Sequence, residues 1–306
     1  MTERIQDNAS CSHADTESIC VKIAGITVAL TCDGPEMRLG VEEITRKFLV
    51  DEADPDVRVR ASLSDIEGET CGEKLFDSGA LWKLYRDGGK YLFRFSSPYY
   101  GARPYKEASF NPDFTEGEVR LHRPFFNSDS PVYPMEYPLD ELLLLSHLAM
   151  GKGVEAHSSG VIDSSGKGFL FVGQSGAGKT TMTRLWQKRD GIKVLSDDRI
   201  ILRKVNDRIW MYGTPWHGEA EISCAGEAPL SHIFFLRHGQ RNELVTQRRA
   251  EAAVRLFACG FPPFYSASGL DFTLSFYDEV TRRVPCSELL FLPGDEIIEF
   301  IRRQAE

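Results

Sequence analysis

The sequence lacks any pair of cysteines at metal-binding or redox spacing. Its seven cysteines, at positions 11, 20, 32, 71, 224, 259 and 286, are odd in number and scattered, which argues against a disulfide frame or a zinc site and fits reduced thiols. A basic excess is missing too: 36 Lys and Arg stand against 45 Asp and Glu, a net charge of −9, so no nucleic-acid partner is expected. No apolar run approaches the length of a membrane span. Residues 139–150 come nearest, but they are too few and carry Asp140, Glu141, Ser146 and His147. Residues 1–17 are polar and contain no apolar stretch of the signal-peptide kind. The expectation is a cytoplasmic protein without a membrane partner. What the chain does have is 306 residues with 42% hydrophobic and 26% charged content, enough for two modest globular domains.

Four segments are expected: a disordered tail at 1–18, a β-rich domain at 19–123, a Pro-rich linker at 124–138 and an α/β domain at 139–306. In the β-rich part, residues 19–30 read as strand, turn and strand, and 41–49 as a short helix. Residues 57–63, Val-Arg-Val-Arg-Ala-Ser-Leu, alternate with the period of a half-buried strand. Asp87-Gly88-Gly89, between 81–85 and 91–95, predicts a hairpin, and 108–110 with 118–122 predict another strand pair. The sheet is expected to be mainly antiparallel. Its many aromatics, from Trp82 to Tyr105, are expected to fill its core, and no catalytic constellation is visible in it. Prolines at 124, 131, 134 and 138, around Asn127-Ser128-Asp129-Ser130, mark the boundary.

Beyond it, residues 139–150 predict a helix ended by Gly151. Strand pieces follow at 154–157 and 160–162, a strand at 168–172, a helix over about 181–189 and a short strand at 193–195. A hairpin turns at Asn206-Asp207, a buried strand covers 233–236, helices cover 247–259 and 270–280, and the chain closes with a strand at 288–292 and an amphipathic helix at 295–303.

The densest chemistry lies at Gly173, Gln174, Ser175, Gly176, Ala177, Gly178, Lys179 and Thr180, which fit Gly-x-x-x-x-Gly-Lys-Thr, the phosphate-binding loop. The stretch stands after an apolar strand and before a helix, where such a loop belongs. Its glycines let the backbone turn N–H groups inward, and the helix that carries Thr181 onward adds its N-terminal donors and dipole. Lys179 is placed to reach terminal phosphates and the Thr180 hydroxyl to ligate Mg²⁺. Ser196, Asp197 and Asp198 then arrive at the end of the short strand, which in an open parallel sheet is the ligand-binding end. One carboxylate can serve the Mg²⁺ shell and the other can take a proton from an attacking hydroxyl.

His157 on a strand, the glycine loop sixteen positions later, a short helix and Leu195-Ser196-Asp197-Asp198 together resemble HPr kinase/phosphorylase, a family that shares its nucleotide-binding core with phosphoenolpyruvate carboxykinases. The resemblance spans about residues 150–236. Pro215 to Glu219 stands where the regulatory enzyme has an Arg-Gly-hydrophobic-Gly run, and Gly213-Thr-Pro-Trp-His-Gly looks like divergent members that act on peptide precursors. The resemblance implies an α/β fold with a mixed sheet, ATP and Mg²⁺ as cofactors, and phosphoryl transfer to a serine hydroxyl of a small protein or peptide. It implies Asp197 as the general base, Asp198 with Thr180 on the metal side, and His157 with Lys179 near the transferring phosphate; it leaves open a homo-oligomer. On the residues alone, a small-molecule kinase on the same core and a regulatory or assembly ATPase stay open. So do substrate contacts from His217 and Glu219, and a phosphate clamp or a solvated face at Arg237, His238, Arg241, Arg248 and Arg249.

Overall fold

The computed structural model describes residues 16–33, 36–51, 54–67, 72–101, 103–126 and 130–304. Residues 1–15 of the expected tail, Cys11, Cys71 and Asn127-Ser128-Asp129 lie outside them, whereas residues 16–18 already belong to the first strand. The protein is mixed α/β, built on two mixed sheets.

The first half contributes β1 (Thr16–Ile23), β2 (Ile26–Asp33), α1 (Glu43–Arg46), β3 (Leu49–Val50), β4 (Val57–Ser64), β5 (Glu73–Asp77), β6 (Trp82–Asp87), β7 (Lys90–Phe95), β8 (Lys106–Phe110) and β9 (Glu116–His122). Its nine strands run in the order β3-β1-β2-β4-β9-β8-β7-β6-β5. Period-two alternation does what it should in β4, where Val57, Val59 and Ala61 are buried while Arg58 and Arg60 face water. The β6–β7 turn uses positive φ at Gly88 and Gly89, a conformation open to glycine. The sheet departs from the antiparallel expectation at its centre, since β4 runs parallel to both β2 and β9. The chain leaves β2 through α1 and β3 and so re-enters the sheet in the same direction, which a tight hairpin would not allow. Phe93, Phe95 and Phe110 are fully buried, as expected of the aromatics, while Tyr99 stands 87% exposed.

Then follow α2 (Leu139–Leu148), β10 (Val154–Ile162), β11 (Gly168–Val172), α3 (Lys179–Gln187), β12 (Lys193–Ser196), β13 (Arg199–Val205), β14 (Arg208–Gly213), β15 (Glu227–His238), β16 (Glu243–Thr246), α4 (Arg249–Ala258), α5 (Ala267–Arg283), β17 (Cys286–Phe291) and α6 (Glu296–Gln304). Leu139, Leu143, Leu144 and Leu148 of α2 enter the core of the first sheet, and so do Ile201, Tyr212 and Trp216. Apolar burial thus runs without a break from the first sheet across the Pro-rich segment.

The second sheet is ordered β11-β10-β13-β14-β15-β17-β16, with β12 paired to β10. Because β11 also pairs with β15, the run from β11 through β10, β13, β14 and β15 closes on itself. Only β11–β15 and β15–β17 are parallel. The two strand pieces expected at 154–157 and 160–162 are one strand, β10; the buried Ser158, Ser159 and Gly160 interrupt its apolar pattern without ending it. β12 lies antiparallel to β10 rather than in a parallel sheet. Helices cover both faces: Leu256, Phe276, Tyr277 and Val280 of α4 and α5 on one side, Met182, Trp186, Ile297 and Ile301 of α3 and α6 on the other. Among the described residues no helix is long and apolar enough to cross a membrane.

Candidate active site

β11 delivers the chain to the glycine loop between two paired neighbours, so the loop's starting point is rigid. Gly176 and Gly178 take φ of +82° and +100°, which L side chains rarely adopt. A Cβ at Gly178 would also stand 2.6 Å from Phe291 Cζ, and one at Gly173 2.6 Å from Ala177 Cβ. Ala177 N–H donates to Gln174 O at 3.1 Å, and His238 Nε2 lies 2.9 Å from Gly176 O, holding the outer turn. The loop opens on a cavity of about 430 Å³ lined by residues 173–177, the end of β15 and Arg255.

Lys179 opens α3 and turns back over the loop, donating from Nζ to Gly173 O at 2.6 Å and Gln174 O at 3.3 Å. Its Nζ is 3.1 Å from His157 Nε2. Burial pushes the ammonium down in pKa, with the Asp198 charge opposing it. On its other edge, His157 Nδ1 is 3.1 Å from Asp198 Oδ1. Burial alone would raise the Asp198 carboxyl, but the His157 hydrogen bond and the charges of Arg199 and Lys179 outweigh it and hold the group below the usual carboxylate range. Lys179, His157 and Asp198 therefore stand in one row across the loop.

Asp197 is not in that row. Its Oδ1 accepts from Gly218 N at 3.0 Å and Ile222 N at 3.3 Å, its Oδ2 from Ala220 N at 2.8 Å, and it is 2% exposed. Ser196 Oγ donates to Trp216 O at 3.1 Å. Ser196 and Asp197 pin the 214–222 segment, while Asp198, the next residue, takes its partners from His157 and Arg199 instead. The structure thus gives different partners to the two carboxylates that the sequence places side by side, although both still flank Gly218.

Arg199, which the sequence reading passed over, ties this row to the rest of the molecule. Its Nε is 2.9 Å from Glu141 Oε1 and 3.4 Å from Glu155 Oε1, its NH1 bonds Asp198, and its guanidinium sits 4.1 Å over the Phe261 ring. Burial works against its charge, yet Glu141, Glu155 and Asp198 together raise its pKa. Glu155, 1% exposed, is pushed well above the ordinary carboxyl range by burial first and then by the Glu141 charge, with the Arg199 charge opposing them. One signal for Glu155 was available: it precedes His157 by two on a strand and so shares its face.

The remaining candidates scatter. His217 lines a cavity of about 390 Å³ with Glu42, Glu136, Asp140 and Arg199, and Glu219 is exposed. Of the five basic candidates only Arg237 and His238 border the loop cavity. Arg241 pairs with Glu243 and Arg249 with Asp278 on the surface. Arg255, not singled out from sequence, joins them, pairing with Glu288 at 3.1 Å and lying 4.3 Å over Phe235.

The donors at the loop suit a metal-bound polyphosphate. A Cβ at Gly176 would meet nothing within 4 Å, so the backbone there is open to a ligand. The Thr180 hydroxyl and the Asp198 carboxylate are hard oxygen donors of the kind Mg²⁺ prefers. Among the described residues no group of three or more His, Cys, Asp or Glu could hold a metal by itself, so an ion here would take most of its ligands from phosphate and water.

No family model matches the sequence, and no curated protein matches it. Among solved structures the chain is similar to the Hpr(Ser) kinase/phosphatase from Coxiella burnetii, at 10% identity and a TM-score of 0.29, over 49% of this chain and 91% of that one. A likeness at that level carries no argument, so the chemistry rests on this chain's own residues.

Proposed function

We propose that this protein is an ATP-dependent phosphotransferase that moves the γ-phosphoryl group to a serine hydroxyl of a small protein or peptide. The observation that carries the reading is the row of Lys179, His157 and Asp198 across a glycine loop, with the carboxylate kept ionised although half-buried. Loop N–H groups and the start of α3 bind the phosphates, and Lys179 exchanges its two loop carbonyls for the terminal phosphate oxygens. The Thr180 hydroxyl would hold Mg²⁺, which would supply charge neutralisation at those oxygens. Asp198 takes over the base role first expected of Asp197, because every Asp197 oxygen is engaged by the 218–222 backbone. As the serine oxygen bonds the γ-phosphorus and the β–γ bridging oxygen leaves with ADP, Asp198 accepts the hydroxyl proton and His157 keeps its carboxylate oriented.

Incubation with γ-labelled ATP, Mg²⁺ and acceptors of three kinds (free serine, serine peptides, small proteins) tests this directly. Phosphoserine in polypeptide is the expected product. A phosphorylated small molecule would instead select the small-molecule kinase, and release of phosphate alone would leave a regulatory ATPase.

A further inference from the structure

Arg199 also borders a third cavity, of about 260 Å³. Three segments far apart in the chain wall it: Phe76 and Trp82 from β5 and β6, Leu142 and Leu145 from α2, and residues 261–265, Phe-Pro-Pro-Phe-Tyr, between α4 and α5. Several of the polar groups it touches are already engaged. Glu141 holds Arg199 at 2.9 Å, and Ser146 Oγ donates to Leu142 O at 2.7 Å beside the Tyr265 hydroxyl. A charged occupant would lose its hydration there, whereas an apolar one gains by burial. Phe264, 65% exposed, and Tyr137, 60% exposed, keep large aromatic faces in water around its mouth.

Position decides the occupant. Arg199 forms one wall and bonds Asp198, so a single side chain links the cavity to the proposed base. One or two residues of extended chain, at about 3.3 Å each, span about the reach of an Arg side chain. The volume suits a single large side chain and not a folded element.

We infer that this cavity recognises the acceptor: it takes a bulky apolar side chain, of the Phe or Leu class, one or two residues from the serine that is phosphorylated. The inference rests on the phosphotransferase reading and narrows it, since free serine has nothing to place there and a polypeptide does.

The test uses blocked pentapeptides with a central serine and Phe, Leu, Ala or Asp at each other position in turn. Phosphoserine formation and, separately, peptide binding by calorimetry are measured on the parent, Leu145→Gln and Phe264→Ser. The parent is expected to prefer Phe or Leu over Ala at one position by about tenfold in KM. Both variants should lose that preference while binding ATP as before; Phe264 is exposed, so its replacement leaves the fold intact. An absence of any apolar preference, or a preference that survives both variants, overturns the inference. If no peptide gains phosphate yet the Phe peptide binds the parent more tightly than the Ala peptide, and Leu145→Gln abolishes the difference, the pocket stands and the transfer reading falls.

Discussion

Arg199 divides two banks of charge that the fold treats differently. Toward the glycine loop, the side chains of His157 and Asp198 are 28% and 19% exposed and partnered by opposite or hydrogen-bonding groups. Toward α2, the side chains of Glu155 and Lys106 have no exposure at all, and Asp140 is 7% exposed. Burial there shifts each group toward its neutral form: Lys106 down, Glu155 well up, Asp140 up to about 7. Desolvation wins where a partner is weak or shared, and charge survives where partners and water are both at hand. On the proposed reading the first bank binds an anion and moves a proton, while the second holds Arg199 and the sheet interface in place.

Substitutions can sharpen or break this contrast. The largest effect is expected at Lys179→Ala, which removes the loop's one cation and should lower nucleotide-dependent phosphoryl transfer by about 10⁴-fold, with ATP binding lost in filter assays. Asp198→Asn should cost about 10³-fold in transfer while leaving ATP binding measurable, because the proton acceptor is gone while the loop, Lys179 and Thr180 remain.

On the other bank the readout is stability against pH. Unfolded, Asp140 ionises near its ordinary 3.8; folded, burial raises it to about 7. Between those values the native state binds the extra proton, so stability falls as pH rises from about 4 to about 7 and then levels. Asp140→Asn should erase that slope, being more stable than the parent above pH 7 by as much as about 4 kcal/mol and equal to it near pH 4. Thermal melts across that range would show parallel curves if Asp140 titrates normally.

Asp197→Asn belongs to the second bank in behaviour although it adjoins the first in sequence. It should lower the urea midpoint by an amount worth about 1–3 kcal/mol, by weakening three backbone hydrogen bonds, and spare transfer in the folded protein. Loss of transfer at full stability would return the base role to Asp197. The smallest effect is expected for Glu155→Gln, within about 1 kcal/mol in stability, since burial already drives the carboxyl it replaces toward its uncharged form. A larger loss would mean that Glu155 carries a charge in the native state.

What was legible beforehand has a common property: it is local. Alternation along residues 57–63, the Gly88-Gly89 turn, and glycine, lysine and threonine spaced at the end of an apolar strand each depend on neighbours within a few residues, and the structure shows the corresponding strand, hairpin and loop. The edge strands β5 and β16 carried no such pattern, because an exposed edge imposes little alternation. Parallel pairing of β4 was hidden as well, since it depends on where the intervening chain returns.

By itself, then, the sequence determined the glycine loop, the strand before it and the helix after it, along with the most regular strands. Only the tertiary structure decided which of two adjacent aspartates faces that loop, and it did so because the backbone of residues 218–222 satisfies its donors on Asp197. It also brought Glu141 and Glu155 onto Arg199 from α2 and β10, and walled an apolar hollow from three distant segments. Such contacts join residues far apart in the chain, and nothing in local spacing encodes which of them will meet once the two sheets pack.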